Sequence, residues 1–281
     1  MISINNRLCI KCDNIMHRRR FLAYGSVLAV GLVGCMSRTA DRPAGSTSTL
    51  NSPGYPNSTS STDGYPSSVA EPPTEHAIDT AAFETVERDG IAVPLAPVDV
   101  THYWHQRREA RFADARGQSQ YDRSHIRGAV LSPAPHGGNA DPVEEWPKGD
   151  RIVCYCGCPH HLSSMRAASL LSNGYENVYV IDEGVWEWQE QGYPMAGTKA
   201  TTQPEVRVIR GRTADTFAGR TVWARHEPTG QREATAIGPD GTYALELKFA
   251  DITASSLIVV RTPDYTLERS LGDLTKGLVN G

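Results

Sequence analysis

Aromatic residues make up only 7% of this chain, and lysines are few beside arginines. Acidic residues outnumber basic ones, 32 to 28, for a formal net charge of -4. A nucleic-acid partner would need a basic face, which this balance argues against. The leader makes the argument stronger: Arg7, Lys11, Arg18, Arg19 and Arg20 against Asp13 leave it net positive by four, so its removal brings the charge near -8. The apolar run Ala23 to Gly34 is too short to span a bilayer as a stable helix. No second cysteine pair accompanies Cys9 and Cys12, so nothing supports a zinc knuckle there. Residues 36 to 76 have few large aliphatics and many Ser, Thr, Gly and Pro, and cannot bury enough surface to fold.

The remainder divides into an address, a spacer and two folded parts. Arg18-Arg19-Arg20-Phe21-Leu22 resembles a twin-arginine export motif. Leu32-Val33-Gly34-Cys35 is similar to a lipobox, in which the cysteine thiol is alkylated by diacylglycerol and becomes the first residue of a lipoprotein. Met16 is an alternative start to Met1. The expected organisation is an export signal at 1–34, a disordered tether at 35–76, an α/β domain at 77–197 and an all-β sandwich domain at 204–281. The protein would then sit on the outer face of the cell membrane through lipid on Cys35, its tether spanning roughly 35 Å. Asn57-Ser58-Thr59 is a glycosylation sequon within that tether.

Within the α/β part, Phe112-Ala113-Asp114, Ala129-Val130-Leu131, Ile152 to Tyr155 and Val178 to Ile181 read as short strands of a mostly parallel sheet. Asp99 is the expected N-cap of a helix through Val100, Tyr103 and Trp104. Leu162, Met165, Ala168 and Leu171 predict a helix stopped by Gly174, and Glu183 to Glu190 a last short helix ended by Gly192. Cys156 therefore leaves a buried strand and enters a tight loop at a helix N-terminus. Unpaired backbone N–H groups and the positive end of the helix dipole there favour thiolate over thiol.

Phe112-Ala-Asp114-Ala-Arg116, Tyr121, His125-Ile-Arg-Gly128-Ala129, Tyr155-Cys156, Gly174-Tyr175-Glu-Asn-Val178-Tyr179 and Asp182-Glu-Gly184-Val-Trp-Glu-Trp188 resemble a single rhodanese domain in order and spacing. The resemblance implies a sulfurtransferase in which Cys156 accepts a sulfane sulfur, holds it as a persulfide and passes it to a nucleophile. It also implies an active-site loop of Gly157, Cys158, Pro159, His160, His161, Leu162, Ser163 and Ser164, whose backbone N–H groups curl around the sulfur, with Asp114, Arg116 and His125 as supports. The chain departs from the family in several places. The loop is two residues longer than the common form and resembles a Cys-x-Cys-Pro variant. His161 stands where a cation is usual, Gln120 and Ser124 replace a glutamate and a glycine, and Glu183 replaces a frequent glycine.

Such chemistry needs a small anionic sulfur donor such as thiosulfate, a thiol acceptor or partner protein, and no cofactor. Gly157 would permit unusual backbone angles and Pro159 would stiffen the loop. Protonated His160 and His161 would attract the donor, so activity would fall as pH rises through the histidine range. Cys156 and Cys158 leave other readings open: Cys158 as a second sulfur acceptor or resolving thiol, redox handling through a strained disulfide, soft-metal binding with the two histidines, or a non-catalytic binding module. No metal is assigned. Cys154 reads as a small buried apolar residue.

Beyond residue 200, Val206–Gly211, Ala218–Ala224, Thr229–Gln231, Asp240–Leu245 and Leu257–Val260 are alternating or apolar runs between Gly and Pro turns. This part is similar to transthyretin-like carboxypeptidase regulatory modules. It holds no cluster that suggests catalysis, which points to packing or partner binding.

Overall fold

The computed structural model describes residues 63–67 and 71–281. The expected export signal and lipobox, with Cys9, Cys12, Cys35 and the sequon at Asn57, lie outside the described residues. Among those described, no helix is long and apolar enough to cross a membrane.

The first strands are a hairpin unforeseen in the sequence, β1 (Thr85–Arg88) and β2 (Ile91–Ala96). Asp89 and Gly90 turn it with φ of 53° and 78°, the positive values a two-residue hairpin loop requires. Then follow α1 (Val98–Arg107), β3 (Arg111–Asp114), α2 (Gln118–Arg123), β4 (His125–Ile126), β5 (Val130–Leu131), β6 (Arg151–Tyr155), α3 (His161–Ser172), β7 (Asn177–Ile181), α4 (Val185–Glu190) and β8 (Met195–Ala196). The main sheet has the order β1-β2-β7-β6-β3-β5. Only β1 is antiparallel within it, so the sheet is mixed.

Both faces of this sheet are buried, which is why its inner strands read as continuous apolar runs. Successive side chains alternate between the faces. From β6, Val153 and Tyr155 join Trp104, Phe112, Trp186 and Trp188 under α1 and α4. Ile152 and Cys154 join Ala167, Ala168 and Leu170 of α3 on the other side. Cys154 is thus a core residue, its thiol pushed up to about 12 by burial.

Three local expectations are corrected. Asp99 does not cap α1; the N-cap is Pro97, and Glu183 Oε2 reaches across to accept from the Val98 N–H at 2.9 Å. Asp99 instead accepts from Tyr193 Oη at 3.0 Å. The last helix of this part starts at Val185 rather than Glu183, because Gly184 turns with φ 79° and brings the Val185 N–H onto the Cys156 carbonyl at 3.1 Å. The spacer does not run free to residue 76: the Gly64 carbonyl accepts from Phe112 N–H at 2.8 Å, and the Tyr65 ring lies 4.4 Å from the Arg111 guanidinium. Arg107 holds the Pro73 carbonyl at 2.8 Å.

The C-terminal region carries β9 (Arg207–Arg212), β10 (Thr221–His226), β11 (Gln231–Ala236), β12 (Thr242–Leu247), β13 (Leu257–Arg261), β14 (Thr266–Ser270) and α5 (Leu271–Leu274). These strands form two antiparallel sheets, β11-β10-β13-β14 and β12-β9. Ile209, Leu245 and Leu247 from the smaller sheet share one apolar cluster with Val222, Ala224, Ile258 and Val260 from the larger. The edge strand β11 packs on α2 and α3 of the preceding part. Ser119 Oγ donates to the Thr229 carbonyl at 2.6 Å, and Arg232 N–H donates to Gln120 Oε1 at 3.1 Å. Gly117 permits this approach, since a Cβ there would stand 2.5 Å from the Gly230 carbonyl oxygen.

Candidate active site

Strand β6 ends at Tyr155, and Cys156 follows at the carboxyl end of the sheet, where ligands bind in open α/β sheets. The chain then turns through Gly157 to His160 and starts α3 at His161. The residue with a left-handed backbone is His160, φ 64°, and not Gly157. Gly157 is needed for room instead: a Cβ would lie 3.1 Å from Glu233 Oε1 and 3.3 Å from Trp186 Nε1. Asp182 Oδ1 holds His160 Nε2 at 2.6 Å, which offsets the strain of a non-glycine residue in that conformation.

Cys156 is fully buried. Burial alone would raise its pKa, but hydrogen bonds from the Cys158 thiol, the Ser163 hydroxyl and the Ser163 and Cys158 backbone N–H groups outweigh it and hold the thiol at about 6. Ser163 Oγ lies 3.3 Å from the sulfur. In its protonated form the thiol donates to the Cys158 carbonyl at 2.8 Å. Ser164, also buried, accepts from Arg88 Nε at 3.1 Å and donates to the His160 and His161 carbonyls.

The expected pair of charged histidines is corrected. Burial, with the nearby Arg88 charge and then His160, pushes His161 down to about 4, so it is neutral near neutral pH. Its Nδ1 is buried and unpartnered. Burial also works against charge on His160, but the bond with Asp182 prevails and raises it. One fixed cation at this loop is Arg88 of β1, which no local sequence pattern singles out. The expected fall in activity through a shared histidine pKa therefore loses its basis at His161.

Asp114 and Arg116 form a buried pair: Nε and Nη2 of Arg116 meet Oδ1 and Oδ2 at 2.9 and 2.6 Å, and Nη2 also reaches the Ser124 carbonyl at 2.5 Å. The Arg116 guanidinium stands 5.7 Å from the Trp186 ring, on the floor of the site. His125 stacks on Tyr121 at 4.0 Å, and its Nδ1 bonds the Tyr121 carbonyl at 2.8 Å. It lies in β4, against β8 and away from Cys156. Pro159 is exposed, whereas Leu162 is buried beside Cys156.

The residues that sequence reasoning missed come from the C-terminal sheets. Cys158 Sγ donates to Glu233 Oε2 at 3.0 Å, and Lys248 Nζ donates to the Gly157 carbonyl at 3.1 Å. Glu233 is fully buried; burial first, then the Cys156 charge, push its carboxyl up to about 8. The bond with Cys156, burial and Glu233 together raise the Cys158 thiol well above its usual range. Glu233 Oε1 and Trp186 Nε1 are buried without partners. No sequence motif marks Glu233, and its strand, Gln231-Arg-Glu-Ala-Thr-Ala236, is polar at the alternating positions Gln231 and Thr235 as well, so its pattern does not single it out. Cys154, Cys156 and Cys158 are all free thiols. Among the described residues, no three His, Cys, Asp or Glu side chains converge so as to hold a metal ion.

Comparison with known proteins bears on residues 101–191, which match the family of the rhodanese-like domain. No curated protein gives a match. Among solved structures, the rhodanese-like domain of an Anabaena sp. protein is 24% identical, with a TM-score of 0.33 over 38% of this chain and 80% of that one. A protein from Bacillus halodurans is 19% identical, with a TM-score of 0.34 over 37% of this chain and 77% of that one. A thiosulfate sulfurtransferase from Pseudomonas aeruginosa is 19% identical, with a TM-score of 0.33 over 37% of this chain and 20% of that one. The strand–loop–helix unit that carries Cys156 falls inside the matched range, whereas Arg88, Glu233 and Lys248 fall outside it. Residues 101–191 of this chain are a rhodanese-like domain.

Proposed function

We propose that this protein is a sulfurtransferase that carries a sulfane sulfur on Cys156. The reading rests on one observation: a buried thiol between the end of β6 and the start of α3, with the Ser163 hydroxyl 3.3 Å from its sulfur and its pKa held at about 6. Such a thiol is ionised at neutral pH and stays nucleophilic, and the same donors suit a persulfide anion. Attack by the thiolate on the outer sulfur of thiosulfate forms the Cys156 S–S bond, breaks the donor S–S bond and releases sulfite. An acceptor thiolate then takes the outer sulfur and returns Cys156 as thiolate. Cys158 stays protonated beside Cys156, so it would act as that acceptor only after losing its proton.

The wider reading joins this chemistry to a lipid anchor on Cys35 outside the membrane, with the two C-terminal sheets forming a sandwich. Intact mass of the chain from residue 36, reduced and then incubated with thiosulfate, tests the chemistry. A gain of one sulfur that is lost in Cys156→Ser and kept in Cys158→Ser supports it. No gain in the parent protein, with the thiol still titrating in the acid range, would leave a binding module as the better reading.

A further inference from the structure

The sheet β11-β10-β13-β14 has a second face, away from its apolar core. Residues directly opposite on antiparallel strands share a face. Trp223 pairs with Ala234 on one side and Arg261 on the other, and Arg225 pairs with Arg232 and Val259. Arg225 and Arg232 are thus like charges placed directly opposite one another, an arrangement that destabilises a sheet unless something neutralises it.

Trp223, Arg225, Arg232, Val259 and Arg261 line an open cavity of about 930 Å³, with Pro135 also on its wall. That volume suits a small-molecule ligand. Arg220, Arg225, Arg232 and Arg261 all face it, and the one acid lining it, Glu227, is engaged with Arg225 Nε at 3.2 Å. Arg232 is the most confined of the four: its Nε and Nη2 are covered and have no hydrogen-bond partner. Burial first, then the adjacent Arg225, lower its pKa, against the opposing charges of Asp114 and Glu233. The hydrophobic effect explains Trp223 and Pro135 here but not four guanidinium groups converging on one hollow.

We propose that this cavity binds a soluble oxyanion of the phosphate class, carrying at least two negative charges, between Arg225, Arg232 and Arg261. Guanidinium groups recognise such anions through paired, charge-assisted hydrogen bonds. Trp223 supplies a flat apolar wall for whatever the anionic group is attached to. The cavity adjoins the proposed catalytic loop: Trp223 packs on the cluster that holds Cys156 and Leu162, and Glu233, next to Arg232 on β11, holds Cys158.

Calorimetric titration of the full chain with inorganic pyrophosphate tests the site, with phosphatidylcholine vesicles carrying phosphatidic acid as a separate arm. The expected result is one saturable site, weakened at least tenfold by Arg225→Gln and by Arg261→Gln and unaffected by Arg269→Gln, which lies outside the cavity. Arg225→Gln should also raise the melting temperature of the empty protein by relieving the cross-strand repulsion, while abolishing the rise that pyrophosphate produces in the parent. Absence of saturable binding, equal weakening by Arg269→Gln, or binding to vesicles alone would overturn the proposal. Arg225 and Arg261 are both exposed at the strand surface, so their replacement leaves the fold intact.

Discussion

Glu233 Oε2 accepts a hydrogen bond from Cys158 Sγ at 3.0 Å, linking a strand of the C-terminal sheets to the loop that carries the candidate nucleophile. The contact is fully buried on the carboxyl side and nearly so on the thiol side. It makes the C-terminal region part of the environment of Cys156, and it sets the pH behaviour of the molecule.

Glu233 and Cys156 pull stability in opposite directions. The Glu233 carboxyl, pushed up to about 8 from 4.5, binds a proton in the folded state that the unfolded chain has released, so its contribution is full below 4.5 and is lost as pH rises to 8. The Cys156 thiol, held at about 6 against 9, has released a proton that the unfolded chain still binds, so stability grows from pH 6 to 9. Glu233→Gln removes the first effect. Denaturant unfolding of the variant should show no decline between pH 4.5 and 6, where the parent protein loses stability.

Ultraviolet thiolate absorbance should report an apparent pKa near 6 that disappears in Cys156→Ser. Ser163→Ala removes one donor to the thiolate. A hydrogen bond to a charged group contributes about 1.5–3 kcal/mol, so the variant should titrate roughly one to two units higher. An unchanged titration would show that Ser163 does not support the charge.

Neutral alkylating reagents should modify native Cys156 slowly, because its exposure is 0% and that of Cys158 is 2%. Gly117→Ala places a Cβ 2.5 Å from the Gly230 carbonyl and forces the β10–β11 turn away from α2. The expected outcome is alkylation of Cys156 at least tenfold faster, on the order of 1.4 kcal/mol of cover removed, followed by peptide mass analysis. An unaltered rate would mean that the C-terminal sheets do not guard the thiol.

Asp114→Asn leaves the Arg116 guanidinium buried without its carboxylate partner. Breaking such a pair costs about 3–5 kcal/mol, measured as a loss in urea unfolding. Cys154→Ala, a smaller cavity at a buried thiol that touches no charged partner in the loop, should cost less and leave sulfur uptake intact.

The main strands and α3 were legible because each is a short apolar run or a helical repeat bounded by glycine, and Cys156 was legible because it stands where one becomes the other. The hairpin β1–β2 was not, since Ile91–Ala96 contains Pro94 and β1 has Val86 as its single apolar residue, so neither alternates cleanly. Pro94 is tolerated in β2 without a break in its pairing to β1. Arg88 and Glu233 were hidden for a different reason. Each reaches the loop through tertiary packing, from outside the matched domain, and no local spacing encodes a contact between residues 88 and 164 or 158 and 233.

Gly117 lets a backbone carbonyl rest where a side chain would otherwise stand, so the surroundings of the thiol are assembled from both ends of the chain. During synthesis Cys158 emerges 75 positions before Glu233. A ribosome-bound chain therefore carries a half-built thiol site, and its cysteines meet whatever oxidant or metal is present before their final neighbours exist. The site is complete only once the C-terminal sheets have been made and packed, because Glu233 and Lys248 come from that region.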